Sequence, residues 1–218
     1  MTQTIVASSA APPYPAAATR TLLRLGIVAG PIYIATSLIQ GLLREGFDLT
    51  RHPWSLLANG DPGWIHVSNL IVAGLLTTGF AAGFRRAGHS KLTSRLMGAY
   101  GLSLVGAGVF RADPALGFPP GAPEEADATW HGIAHFTIAG IGFLCLVAAC
   151  FVVARRFAAV GNKNWARYSG ATGITFLAGF AAVASGGSGA VPNLVFTAAV
   201  VIAWAWISVL AAHQHRAE

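Results

Sequence analysis

Apolar runs of about 20 residues, the length of helix that crosses roughly 30 Å of hydrocarbon, recur along nearly the whole chain. They cover about Leu22–Leu43, Ile65–Phe84, Leu92–Phe110, Trp130–Ala154, Tyr168–Ser185 and Val191–Ala212. In lipid the backbone has to satisfy its own hydrogen bonds, so runs of this length and spacing predict helices and not strands. Of the 218 residues, 54% are hydrophobic and only 10% charged, too few charges to solvate a globule of that size. The expectation is an all-α membrane protein with six transmembrane helices filling residues 21–213. A disordered tail is expected over residues 1–20 and a short polar tail over 214–218. Residues 1–19 carry no charged side chain and so lack the basic start of a secretory signal.

Charge placement predicts the topology. Of 14 Lys and Arg residues, only Arg44, Arg51 and Arg111 fall in the first and third loops; the others lie with the termini and the even-numbered turns. Of eight acids, all but Glu218 lie in those same two loops. The positive-inside rule then places both termini in the cytoplasm and makes the two acidic loops an outer cap over a bundle in the cell membrane. The net charge of +6 is read as a topology signal and a contact with anionic lipid, and not as a nucleic-acid surface. Cys145 and Cys150 are five apart in one run, on different helix faces, so they cannot pair, and a thiolate cluster is excluded.

Four of the seven histidines fall on the acidic side, and they set the candidate chemistry. His131 and His135 are four apart at the start of the fourth run, a spacing that puts two imidazoles on one helix face where both can address a single metal. His135 would lie roughly 7 Å into the helix, a depth at which a polar side chain turns toward the bundle interior. Around that pair the topology gathers Asp48, Arg51, His52 and Ser55 of the first loop, His66 at the start of the second run, and Arg111, Asp113 and Trp130. A short interfacial helix over Asp48–Leu57 would bring Asp48 and His52 together.

Three readings compete for this cluster. In the first, His131 and His135 ligate zinc and leave a position for a water activated against lipid esters or amides, with Asp48, His52 and Asp113 as catalytic groups. Arg51, Ser55, His66, Arg111 and Trp130 would then bind a small polar or amphiphilic ligand. In the second, His66 and His135 ligate a haem. In the third the polar groups form a structural network, or bind a lipid headgroup without reaction. Ion-coupled transport is disfavoured, because no Asp, Glu, Lys or Arg occupies the middle of any run. His89, His213 and His215 are expected to be solvated.

The segments Gly46-Phe47-Asp48, Arg51-His52-Pro53-Trp54-Ser55-Leu56-Leu57, Gly63-Trp64-Ile65, Phe110-Arg111-Ala112-Asp113-Pro114 and Trp130-His131-Gly132-Ile133-Ala134-His135 together resemble a bacterial membrane family catalogued as a domain of unknown function, number 998. The likeness runs from about Leu22 to Ala212. It implies a six-helix integral membrane protein whose recurrent residues gather at the outer loops, and it implies no reaction.

Overall fold

The computed structural model describes residues 16–185 and 189–218. The N-terminal tail up to residue 15 and the Gly186-Gly187-Ser188 part of the last turn lie outside the described residues. Six helices account for most of the described chain: α1 (Ala16–Leu43), α2 (Gly63–Arg86), α3 (Lys91–Val109), α4 (Trp130–Ala159), α5 (Lys163–Ala184) and α6 (Ala190–Ala217). Four of them, α1, α2, α4 and α6, are long and apolar enough to cross a membrane.

Several helices overrun their apolar runs, mostly on the basic side. α1 begins at Ala16, so residues 16–20 are helical where a disordered tail was expected; three alanines open it and Thr19 is buried. α4 carries Arg155 and Arg156 inside it, and α5 starts five residues before Tyr168, capped by Asn162, whose side chain accepts from Trp165 N–H at 3.3 Å. Apolar periodicity marks only the part of a helix that needs lipid. Arg and Lys prolong helices well, so the backbone continues after hydrophobicity ends.

The helices form a ring. Each packs mainly on its neighbours in chain order, and α6 closes the circle on α1. Close approach depends on small residues: a Cβ on Gly74 would come within 2.5 Å of the Gly101 carbonyl oxygen, and one on Gly101 within 2.7 Å of that of Gly74, so α2 and α3 touch backbone to backbone. At the opposite seam, a Cβ on Gly30 of α1 would meet Ser208 Oγ of α6 at 2.5 Å.

The two long loops lie over one end of the ring. In the first, the expected helix does not span Asp48–Leu57; turns carry the chain to a five-residue 3-10 helix, Trp54–Ala58, whose Trp54, Leu56, Leu57 and Ala58 are buried. Pro53 forbids the longer helix by removing a donor and restricting His52 before it. Side chains in or next to the helices hold this loop down. Gln40 Nε2 donates to Pro62 O at 2.9 Å, Arg44 Nη1 to Leu57 O at 3.1 Å, and Asn193 Nδ2 to Leu49 O at 3.0 Å.

Candidate functional site

The outer loops place their polar residues by local turn chemistry. Asp48 caps the turn that follows it: Thr50 N–H and Oγ1–H both donate to its Oδ1, at 2.8 and 2.7 Å. The Thr50 hydroxyl, then the Thr50 amide, hold this exposed carboxylate below its ordinary pKa. Asp48 N–H donates to His52 Nδ1 at 2.9 Å, which leaves the ring proton on Nε2, and Nε2–H donates to Leu116 O of the third loop at 3.0 Å. The imidazole is buried between the rings of Phe47 and Phe118, at centroid distances of 5.2 and 5.4 Å. His52 therefore rivets one loop to the other. Arg51 makes an ion pair with Glu124 across the same gap.

Asp113 has a comparable role at the start of α4. Thr129 N–H donates to its Oδ2 at 2.9 Å and Thr129 Oγ1–H to its Oδ1 at 2.5 Å, while Thr129 Oγ1 itself accepts from Gly132 N–H at 3.2 Å. The carboxylate lies so close over Gly132 that a Cβ there would collide with it. An acid beside the first turn of a helix also suits the positive end of the helix dipole. One turn deeper, His135 Nδ1–H donates to Phe110 O at 2.7 Å and Ala107 O at 3.0 Å, closing carbonyls at the C-terminal end of α3.

Beneath this cap the ring lines a partly open cavity of about 580 Å³. Its walls are mostly apolar and aromatic. Tyr33 of α1 stacks on Trp204 of α6 at 4.8 Å between centroids, Trp54 lies 5.9 Å from Tyr33, and Tyr100 of α3 lies 6.0 Å from Trp204. Set among them is His66 of α2, with no exposed surface, its ring 6.1 Å from that of Tyr33. Neither ring nitrogen of His66 has a hydrogen-bond partner among the described residues, and neither has Trp54 Nε1. A buried polar group left unpaired costs about 1–3 kcal/mol, so these atoms are the most chemically unspent in the wall.

Of the residues singled out in the sequence, Ser55, His66, Asp113 and His135 line this cavity. Asp48, Arg51, His52, Arg111, Trp130 and His131 do not. The His131/His135 pair does not converge. His131 is exposed, with its ring on Trp130 at 3.8 Å and near Phe110 at 5.9 Å, whereas His135 is buried and commits Nδ1 to carbonyls. Among the described residues no group of three or more His, Cys, Asp or Glu side chains comes together as a metal site, so the zinc expected on that pair finds no third ligand. The catalytic trio does not gather at one point: Asp48 and His52 stay neighbours in the first loop, joined through the Asp48 amide, while Asp113 is bound to Thr129 at the α4 terminus.

Sequence reasoning missed Tyr33, Trp54, Tyr100, Ser103 and Trp204, which complete the chamber. The available signal was depth. Counted from the acidic side, Tyr33, Tyr100 and Trp204 are hydrogen-bonding aromatics near the middle of their helices, deeper than His66 and His135. Compared with known families, residues 27–213 match the model described as "Protein of unknown function (DUF998)". No curated protein and no solved structure matches the chain.

Proposed function

The chain belongs to the DUF998 family of proteins of unknown function, and we propose that this member, an integral membrane protein, uses the chamber between its helices to hold an uncharged amphiphile. The carrying observation is His66: fully buried, unpaired at both nitrogens, and set in an aromatic wall. A neutral imidazole offers one donor and one acceptor, which matches a hydroxyl or carbonyl head. Trp54 Nε1–H adds a second donor. The chamber volume falls in the range of about 300–1,000 Å³ usual for small-molecule sites. Its one carboxylate, Asp113, is already spent on Thr129, so nothing in the wall compensates a charge on the ligand.

The topology we infer alongside has six crossings, both termini in the cytoplasm and the capped end outward in the cell membrane. Three features support it. The short α2–α3 and α4–α5 turns force antiparallel neighbours, α3 and α5 take their places in the same ring as the four strongly apolar helices, and the basic residues cluster at the uncapped end. The cap residues serve architecture in this reading: they fix the loops that roof the chamber.

Mass spectrometry of small molecules extracted from the protein purified out of membranes tests the proposal. Wild type should retain an uncharged amphiphile at near-stoichiometric level, and a His66→Leu variant of unchanged melting temperature should lose it. Identical extracts from the two proteins would overturn the reading.

A further inference from the structure

At the end of the ring opposite the cap lies a second cavity, of about 350 Å³, formed by the α2–α3 turn, the C-terminal part of α4 and the C-terminal part of α6. The turn is shaped locally. Gly88 takes φ +76°, a left-handed conformation that ends α2, its N–H donates to Arg85 O at 3.2 Å, and Ser90 then caps α3 by accepting from Thr93 N–H at 3.2 Å. The cavity thus sits at the N-terminus of a 19-residue helix, where backbone N–H groups and the helix dipole favour negative charge.

Side chains at the cavity point to a ligand independently of that terminus. Thr93 has no exposed surface and its Oγ1 has no partner among the described residues. Gln214 is 8% exposed and adds its amide to the same wall. His89 Nε2 is buried and likewise unpartnered. Arg156 and His213 supply basic groups on the same wall. The other charged group acting on His89 is the Glu218 carboxylate; burial depresses the His89 pKa, Glu218 opposes that, and Arg156 and His213 add to it. Val160, 77% exposed, brings an apolar rim to the same opening.

Unspent donors, basic side chains and an apolar rim together suit an anion carried on an acyl chain. We propose that this cavity is a phosphate-group site, in which Thr93, His89, Gln214 and Arg156 receive either free phosphate or the headgroup of an anionic phospholipid from the adjoining leaflet. Basic pockets between membrane helices bind such headgroups by charge-assisted hydrogen bonds. The site is independent of the chamber and its amphiphile.

The test uses the full chain in nanodiscs of dioleoylphosphatidylcholine, with melting followed by tryptophan fluorescence. One arm dopes the bilayer with dioleoylphosphatidylglycerol; the other adds inorganic phosphate against potassium chloride of equal ionic strength. Wild type should gain a saturable rise in melting temperature. Thr93→Val and Arg156→Gln should need about fivefold more ligand for half the rise, Thr93→Ser should restore it, and Arg155→Gln, whose side chain lies outside the cavity, should match wild type. A rise with phosphate assigns the site to the free anion, and a rise with phosphatidylglycerol alone assigns it to the lipid headgroup. No rise in either arm, or equal loss in Arg155→Gln and Arg156→Gln, would overturn the proposal.

Discussion

In the cap, His52 has both ring nitrogens engaged, one by the Asp48 amide and the other by the Leu116 carbonyl; below it in the chamber wall, His66 has neither engaged. The same contrast separates Asp113, with both carboxylate oxygens on Thr129, from Trp54, whose indole N–H is unpaired. Both regions hold buried polar groups, yet in one these have consumed their hydrogen-bonding capacity in tying loops together and in the other they have kept it. A conspicuous cluster of His, Asp and Arg is therefore no guide to a site until its bonds have been traced, and here the tracing moves the site inward.

That contrast can be broken first at Asp113. Asp113→Ala removes the acceptor of two donors and the electrostatic cap of α4, and should cost about 2–4 kcal/mol of stability, read as a large fall in melting temperature in detergent. His52→Phe keeps the stacked ring and deletes both bonds, stranding the Leu116 carbonyl, and should cost about 1–3 kcal/mol by the same measurement. His66→Leu should behave in the opposite way: no hydrogen bond within the protein is lost, so the melting temperature changes little while the proposed amphiphile disappears from the extract. A large destabilisation in His66→Leu would mean that the chamber wall is as structural as the cap.

The smallest effect concerns acid. The folded Asp48 carboxyl is held below its unfolded value near pH 3.9, so its contribution is present above that value and lost as pH falls through the folded pKa. Because the group is exposed, the gain is slight. Asp48→Asn should flatten only the acid limb, below about pH 4, of a melting-temperature profile against pH.

The all-α class was legible because long apolar runs admit only helical backbone in lipid, and the family was legible from the loop motifs. The site was less so. Helical spacing says that His131 and His135 share a face, but it does not say what that face meets along its length. The first turn leaves His131 exposed against Trp130, and the next meets the end of α3. Asp48 and His52 lie in turns, where the backbone path and not periodicity aims a side chain. The chamber floor takes Tyr33, Tyr100 and Trp204 from α1, α3 and α6, a juxtaposition that only the closed ring creates.

Ring closure also sets an order of assembly. Neighbours from α1 to α5 can pair as hairpins while later parts of the chain are still emerging, but the α6–α1 seam waits for the final helix. The Tyr33–Trp204 stack straddles that seam, so the cavity acquires its base only when α6 has packed against α1.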